Sequence, residues 1–387
     1  MVSVLMAASG CAGTEGPLVV ADLEQRNDAR LWLSDSQGHS FVLDTGTPRT
    51  ILDPSVLGLP PGTFEIRPVP VADWSDRAGL NDGLTPLVIG PPHAALPLDG
   101  IIGMDLLSKH RLAWDGALHQ LALGTGAARW ARKLDLDLLG GGTTCEDETH
   151  CYDFPATRMI VDIEIEGQPM RALVDTGTRD ITVFTDALSR LPAMNRPERV
   201  IEATDGAEIH LTRFGSLAFG DYELKEVAGR VLEVSSSVER LRVETGEHID
   251  ALLGSLPLAM FKPVFAVAER KIELAEVDDG KHGLSNYVGI TFGGKADGSC
   301  LRVLLVARGL TAYQNGLRVG DCVTAFGKYT QVTAANVAKF LDEAPGEPLG
   351  TAFPITVLKD GVSSSFDIFV EQFMTPPTGE VWVGLRQ

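Results

Sequence analysis

The chain repeats a short segment, and this repeat limits what it can fold into more than any other feature. Phe-Val-Leu-Asp-Thr-Gly-Thr at 41–47 returns as Ala-Leu-Val-Asp-Thr-Gly-Thr at 172–178, after 131 residues. Downstream, Leu-Asp-Gly-Ile-Ile-Gly at 98–103 has its counterpart in Ile-Asp-Ala-Leu-Leu-Gly at 249–254. Matched segments in the same order indicate a duplicated unit.

The surroundings of each copy predict β structure. Two strands joined by a turn precede each Asp, over 30–43 and 159–174, and alternating apolar patterns follow over 111–123 and 263–274. The 41 glycines and 22 prolines also favour a turn-rich, strand-rich protein over a helical bundle. With 387 residues, the chain has room for two or three domains.

Charge and hydropathy exclude two classes of protein. The net charge of −19 is spread along the chain, and such a field repels phosphate backbones, so we expect no nucleic-acid partner. No apolar run approaches the roughly 20 residues that span a bilayer, so we do not expect an integral membrane protein.

The paired Asp-Thr-Gly triplets carry the candidate chemistry. In each copy an apolar strand leads to Asp44 or Asp175, and the following glycine, Gly46 or Gly177, lets the backbone bend closely around the carboxylate. If the two turns meet, two like charges at one water cannot both ionise easily, so the pair holds one proton. One carboxylate then acts as general base on the water, and the other acts as general acid.

These motifs resemble the aspartic protease family, specifically its retropepsin-like lobe. The two Asp-Thr-Gly-Thr segments are similar to the catalytic motif, and the apolar segments ending at Gly103 and Gly254 are similar to the second signature beneath the catalytic loop. The resemblance implies a mainly β, bilobal acid-protease fold with Asp44 and Asp175 as the catalytic pair. It also implies that Thr45 and Thr176 brace the two loops, and that Thr47 and Thr178 hydrogen-bond the carboxylates.

In this family a β-hairpin flap closes over the substrate. The segment 200–211 predicts such a hairpin around Thr204, Asp205 and Gly206. The same region of the first copy contains Pro68 and Pro70 and predicts an irregular loop, in which Trp74 either covers the cleft or packs beneath its own loop. The two copies also differ at the second signature, where Ser255-Leu-Pro replaces the first copy's Gly-Met-Asp. Asp99 and Asp250 precede the second signatures, where a turn-capping role is expected.

The last hundred residues resemble a bacterial PDZ domain. Gly-Leu-Arg-Val-Gly-Asp at 316–321 carries the likeness, and Tyr287, Val288, Gly289 and Ile290 occupy the place of the carboxylate-binding loop. In that family, backbone N–H groups hold a chain-terminal carboxylate while the peptide adds a strand to the sheet edge. The alternative is a spacer whose groove is filled by its own chain.

The N-terminus and the five cysteines point to the cell envelope. Ala-Ser-Gly-Cys ending at Cys11 resembles a bacterial lipobox, although no Lys or Arg precedes it and the apolar stretch is short; the alternative is a flexible terminus with an incidental Cys. Cys145 and Cys151 predict a short-loop disulfide, whereas Cys300 and Cys322 either pair or remain two buried thiols. No metal-binding spacing occurs, so neither metal nor cofactor is expected.

Together these observations predict a monomeric aspartic endopeptidase whose PDZ domain recruits or gates peptide or protein substrates and binds their C-terminal tails. The predicted location is the bacterial cell envelope, lipid-anchored or secreted. The alternative is a catalytically inactive cell-envelope lipoprotein that binds peptides or proteins. The predicted organisation is a signal and linker at 1–16, lobes at 17–125 and 156–277, a linker at 126–155, a PDZ domain at 284–374 and a tail at 375–387.

Overall fold

Short apolar strands separated by glycine-rich and polar turns build almost all of the molecule. The computed structural model describes residues 19–22, 30–35, 37–60, 63, 65–66, 87–88, 98–115, 120–123, 132–145, 151–154, 156–192, 199–203, 208–277, 288–293, 300–344, 347–359, 361–371 and 383–385. We call residues 19–123 the first half, 132–277 the second half and 288–371 the C-terminal unit.

The described residues of the first half form nine strands, one α-helix and one 3-10 helix. The strands are β1 (Val19–Asp22), β2 (Leu31–Ser34), β3 (Ser40–Leu43), β4 (Ile51–Leu52), β5 (Glu65–Ile66), β6 (Leu87–Val88), β7 (Gly100–Ile102), β8 (Leu112–Asp115) and β9 (Gln120–Leu123). The 3-10 helix is Pro54–Leu57 and the α-helix is α1 (Met104–Leu107).

The second half begins with four short strands in the segment predicted to be a linker. They are β10 (Arg132–Asp135), β11 (Asp137–Leu139), β12 (Gly142–Cys145) and β13 (Cys151–Phe154). The remaining strands are β14 (Arg158–Ile165), β15 (Gln168–Val174), β16 (Ile181–Phe184), β17 (Arg199–Ala203), β18 (Glu208–Phe219), β19 (Tyr222–Leu232), β20 (Ala251–Leu253), β21 (Phe261–Ala266) and β22 (Lys271–Val277). Its helices are α2 (Thr185–Leu188), α3 (Ser236–Thr245), α4 (Ser255–Ala259) and the 3-10 turn Val267–Glu269.

The two halves share one strand order. The first half forms a sheet in the order β2-β3-β7-β4-β6-β5, and the second half repeats it as β14-β15-β20-β16-β19-β18. The strand before each Asp runs parallel to the second-signature strand, with Val42 opposite Ile101 and Leu173 opposite Leu252. Because these central strands are covered on both faces, they are continuously apolar rather than alternating.

A second sheet of six strands joins the halves in the order β1-β9-β8-β21-β22-β10. Each half contributes a hairpin, and the hairpins meet where Val264 pairs with Ala113. Side chains from both halves share one buried core, which includes Phe41, Trp114 and Phe265. The strand β10 lies at one edge because it pairs with β22, a contact too distant in sequence for the local pattern to reveal.

The C-terminal unit has its own sheet and core. Its elements are β23 (Ile290–Gly293), β24 (Leu301–Ala307), α5 (Thr311–Gln314), β25 (Cys322–Phe326), α6 (Ala334–Glu343), β26 (Ala352–Lys359) and β27 (Val362–Phe369). Phe292, Phe326 and Phe340 pack together at its centre. Cys300 and Cys322 form a disulfide bond, which decides between the two alternatives left by the sequence.

Strand pairing connects the C-terminal unit to the second half at what we call the junction, formed by β17 and β24. Ile201 lies opposite Ala307, and these two side chains form a buried apolar cluster with Leu211 and Leu310. The Arg308 N–H donates to the carbonyl of Val200 (2.9 Å).

The segment predicted as a C-terminal tail also returns to the second half. There β28 (Val383–Leu385) pairs with the start of β19. The predicted mainly β fold class is confirmed. Within the ranges that the structure describes, no helix has the length and apolar character needed to cross a membrane.

Candidate active site

The two Asp-Thr-Gly turns meet, one from each half. The strands β3 and β15 end at Asp44 and Asp175, whose N–H groups donate to the carbonyls of Ile102 (2.9 Å) and Leu253 (3.0 Å). These bonds extend the parallel pairing of each strand with the second-signature strand. Both carboxyl groups are half-buried, and they are hydrogen-bonded to each other.

Each glycine of the triplets packs against the carboxyl group of the opposite half. A Cβ at Gly46 would lie 2.5 Å from Cγ of Asp175, and a Cβ at Gly177 would lie 2.6 Å from Cγ of Asp44. Real side chains do not approach that closely. Glycine is therefore required at both positions by the close approach of the two turns.

The two threonines predicted to brace the loops bond to each other across the halves. The Thr45 hydroxyl donates to the carbonyl of Val174, and the Thr176 hydroxyl donates to that of Leu43, both at 2.8 Å. Each hydroxyl oxygen accepts the N–H of the other threonine at 3.1 Å. Both residues are buried. This reciprocal network fixes the spacing of the two turns, because any separation would break four buried hydrogen bonds.

The second threonine of each motif bonds the carboxylate itself. The Thr47 hydroxyl donates to Oδ2 of Asp44 (2.5 Å), and the Thr178 hydroxyl donates to Oδ2 of Asp175 (2.9 Å). The Gly46 N–H donates to Oδ1 of Asp44 at 2.7 Å. These donors hold both carboxyl groups in one orientation.

The pair titrates unlike ordinary carboxyl groups. Burial, then the charge of Asp44 and a hydrogen bond with Asp44, together raise the pKa of Asp175 to about 7, against the lowering effect of the hydrogen bonds from Thr178. Two carboxyl groups this close share one proton. The pair therefore offers a base and an acid at the same place at acidic to neutral pH.

The second-signature glycines support both turns in the same way. A Cβ at Gly103 would lie 2.7 Å from the carbonyl oxygen of Arg49, and one at Gly254 would lie 2.7 Å from that of Arg179. The next residue of the second half, Ser255, donates its N–H to the carbonyl of Thr178 (2.8 Å). The first half makes the corresponding bond from Met104 to Thr47 at 2.9 Å. The altered sequence after Gly254 therefore keeps the backbone geometry of the loop.

Asp99 and Asp250, for which a turn-capping role was expected, bond instead to residues far away in sequence. Asp99 accepts the N–H of Ser40 (2.8 Å), and Asp250 accepts the N–H of Arg171 (2.9 Å). Both bonds hold the second-signature strand next to the strand that ends on a catalytic-motif Asp.

Sequence reasoning missed two arginines that link the halves at the site. Nε of Arg30 donates to the carbonyl of Gly177 (2.7 Å), and Arg158 donates to the carbonyl of Gly46. Each guanidinium therefore binds a carbonyl of the other half. The available signal was a basic residue where the first strand of each sheet begins, before β2 and at the start of β14.

Some predicted site residues lie outside the described residues. These are Cys11, Trp74, Thr204, Asp205, Gly206 and Tyr287. The strands on either side of 204–207 pair as an antiparallel hairpin, as the sequence predicted.

The predicted carboxylate-binding loop is described from Val288 onward. Val288 and Ile290 are buried in the core of the C-terminal unit, and Gly289 adopts a left-handed backbone with φ of 78°. Gly289 also accepts the Ala307 N–H at 2.8 Å. The side chains of this loop therefore face inward.

The predicted short-loop disulfide falls in the hairpin of β12 and β13. Cys145 lies directly opposite Cys151 in its register, and Cys151 is disulfide-bonded. The pairing of these two residues stays a prediction. Across the part of the chain that the structure describes, no group of three His, Cys, Asp or Glu side chains is arranged to hold a metal ion.

Comparison with known proteins finds similarity in part of the chain. No curated protein matches the chain. Among solved structures it is similar to a retropepsin-like aspartic protease from Rickettsia conorii, with 16% identity over 37% of this chain and 94% of that one, and a TM-score of 0.22. Residues 161–255, which contain Asp175 and the second signature of the second half, match the family model described as aspartyl protease. This match supports an aspartic protease family for the chain.

Proposed function

We propose that this protein is an aspartic endopeptidase with Asp44 and Asp175 as its catalytic residues. The observation that supports it best is the pair of hydrogen-bonded carboxyl groups, one from each half, with a raised pKa at Asp175. The ionised member takes a proton from a water molecule, and the water oxygen bonds to the peptide carbonyl carbon. The protonated member donates its proton to the carbonyl oxygen. The tetrahedral intermediate then collapses, the C–N bond breaks, and the leaving nitrogen takes a proton from the pair.

A mixed peptide library tests this proposal directly. We expect the full chain to cleave peptides between acidic and neutral pH, with the cut sites read by mass spectrometry. Asp44→Asn and Asp175→Asn should each lower the rate by about 10²–10⁴-fold, the usual contribution of a positioned acid or base. Folded wild-type protein that cleaves no peptide, or activity retained in both variants, would exclude the proposal.

We further propose that the C-terminal unit is a PDZ domain that binds chain-terminal carboxylates. The left-handed Gly289 at the start of β23 supports this, since such a turn can direct backbone N–H groups toward an anion. The helix α6 packs on β23 through Phe340 and Phe292, the arrangement that an added peptide strand needs beside it. A peptide with a free C-terminus should bind more tightly than its amidated form; equal affinity would exclude this role.

The junction supports a gating role for that unit. The hairpin of β17 and β18 is the proposed flap of the second half, and its outer strand is hydrogen-bonded to β24. Gly289, in the proposed carboxylate-binding loop, lies close to Leu310 of the junction's apolar cluster, since a Cβ at Gly289 would be 3.0 Å from that side chain. A ligand in the PDZ groove should therefore change the cleavage rate of a peptide that binds only the catalytic cleft.

We propose an extracytoplasmic location for the mature protein, lipid-anchored through Cys11. The Cys300–Cys322 disulfide supports an oxidising compartment, because cytosolic reductants keep such thiols reduced. Alkylation of the freshly isolated protein tests this. We expect both thiols to be protected until a reductant is added.

A further inference from the structure

A cluster of charged side chains lies beside Asp175, and the proposed reaction does not use it. Asp180 follows Asp175 by five residues, and only 2% of it is exposed. Nε of Arg230 contacts Oδ2 of Asp180 at 2.8 Å, and Nε of Arg179 lies 3.8 Å from Oδ1. We call Arg179, Asp180 and Arg230 the arginine cluster.

Positive charge exceeds negative charge in the arginine cluster. Burial opposes ionisation of Asp180, yet Arg230, then Arg179 and Arg30, hold the pKa of this carboxyl below its usual value, so it is ionised. Two guanidinium groups thus share one carboxylate. A separation of 3.8 Å is too long for a hydrogen bond, and among the described residues the buried Nε of Arg179 has no hydrogen-bond partner.

At the corresponding described positions, the first half has no equivalent of the arginine cluster. Thr182 of β16 lies opposite Arg230, whereas the corresponding residue of β4, Ile51, lies opposite Leu87. Leu87 is apolar and buried. The residue that corresponds to Arg179, four positions after the catalytic-motif Asp, is Pro48. These first-half positions therefore do not place two arginines around a carboxylate.

The arginine cluster is within reach of a peptide held at the carboxyl pair. An extended peptide advances about 3.3 Å per residue, so side chains within three residues of the scissile bond lie within about 10 Å of it. Arg179 belongs to the loop that follows Asp175, and the side chains of Arg179 and Arg230 keep 16% and 23% exposure. Both side chains are therefore partly open to solvent.

We propose that Arg179 and Arg230 form a subsite that selects substrates with an Asp or Glu side chain within three residues of the scissile bond, on one side of it; this inference rests on the proposed peptidase function. A carboxylate there would balance the excess positive charge of the arginine cluster. The rest of the protein, with a net charge of −19, repels acidic ligands in general. The preference is therefore local to one substrate position.

Matched peptides test the subsite. One cleaved sequence is prepared with Glu, Gln or Lys at each of the three positions on either side of the cut, and its C-terminus is amidated so that a carboxylate-binding groove is not engaged. At one position we expect the Glu peptide to exceed the Gln peptide about tenfold in kcat/KM, as a charge-assisted hydrogen bond implies. Arg179→Gln should bring this ratio close to one, Arg179→Lys should retain most of it, and Arg179→Glu should favour the Lys peptide.

Arg302→Gln is the matched control, because Arg302 lies in the C-terminal unit and donates to the carbonyl of Gly320. It should leave the Glu-to-Gln ratio unchanged. A purely structural role of Arg179 would lower the rates of both peptides by one factor and leave their ratio intact, which would overturn the proposal. A wild-type enzyme with no preference for Glu at any position would also overturn it.

Failure of the proposed function gives a different result. If the wild type cleaves none of these peptides, the endopeptidase assignment fails, and the affinity of the Asp44→Asn protein for the same amidated peptides then decides about the subsite. Tighter binding of the Glu peptide that is lost with Arg179→Gln supports the subsite, and equal binding of the Glu and Gln peptides overturns it.

Discussion

At the scale of single residues, each glycine of the two triplets leaves no room for a side chain beside the carboxyl group of the other half. We expect Gly177→Ala to displace Asp44, because the added Cβ would lie 2.6 Å from its Cγ. Overpacking of this kind should lower the free energy of unfolding by about 1–3 kcal/mol, measured by urea denaturation. It should also lower kcat at least tenfold.

Gly215→Ala is the matched control for Gly177→Ala. Gly215 lies in β18, and a Cβ there would meet only the Glu166 side chain, at 3.7 Å. We expect the control to change the free energy of unfolding by less than about 1 kcal/mol. If both glycine variants behaved alike, the close approach of the two turns would not be the reason for glycine.

The raised pKa of Asp175 predicts a pH dependence with a definite sign. Between its ordinary value of 3.8 and about 7 the folded protein keeps a proton that the unfolded chain has lost. Stability from this group is therefore fully present below about pH 4 and is lost as the pH rises toward 7, by up to about 4 kcal/mol. Cleavage should also decline above pH 7 as the shared proton leaves.

Asp175→Asn isolates the contribution of the carboxyl pair, because the carboxyl groups outside the pair titrate equally in both proteins. The free energy of unfolding of the wild type minus that of the variant should fall as the pH rises from 4 to 8. A difference that is flat or that rises would show that the native state does not hold the extra proton.

At the scale of elements, the junction depends on charge as well as on strand pairing. Arg308 contacts Glu202 (2.7 Å) and Glu208 (2.6 Å), which lie on the two strands of the proposed flap hairpin. We expect Glu202→Arg to speed amide hydrogen exchange in β17, because like charges would then meet across the junction. Arg308→Glu in the same protein should restore much of the protection, whereas the absence of any rescue would locate the stabilisation in the apolar cluster alone.

Elements were predictable from the sequence where local pattern and duplication agree. The strands ending at Asp44 and Asp175 could be predicted, because an apolar run, an Asp-Thr-Gly turn and a matching copy all indicate the same structure. Pairings between distant segments could not be predicted from the sequence. The edge position of β10 and the bonding of β17 to β24 depend on partners more than a hundred residues away in sequence.

The contacts of the candidate site likewise fall into those that the sequence predicts and those that it does not. The carboxyl pair and its threonines follow from the motif, since each residue bonds within its own loop or to the equivalent loop. The contacts of Arg30 and Arg158 with glycine carbonyls leave no mark on the motif, because a backbone acceptor imposes no residue type. The sequence shows that these two residues are arginines, but it does not show which carbonyls they bind.

At the scale of the whole molecule, the C-terminal unit covers an edge that the second half would otherwise expose. A chain ending at residue 277 would leave one edge of β17 unpaired and uncover Ile201 and Leu211, which are buried at the junction. Unpaired apolar edges promote association between copies. We expect this truncated chain to self-associate, as measured by light scattering at increasing concentration.

Ile201→Lys in the truncated chain provides the control, because a lysine on an exposed edge opposes strand addition. The variant should remain monomeric over the same concentration range. A truncated chain that stays monomeric without the lysine would show that the edge is protected by some other means.

The reciprocal contacts of Arg30 and Arg158 have a consequence for how the protein unfolds. Because each half holds a carbonyl of the other, and because one core runs through both, neither Asp-Thr-Gly loop can keep its conformation after its counterpart has melted. The two halves descend from one repeated pattern, yet they are expected to melt as a single calorimetric unit, with one heat-absorption peak and equal van't Hoff and calorimetric enthalpies for the pair.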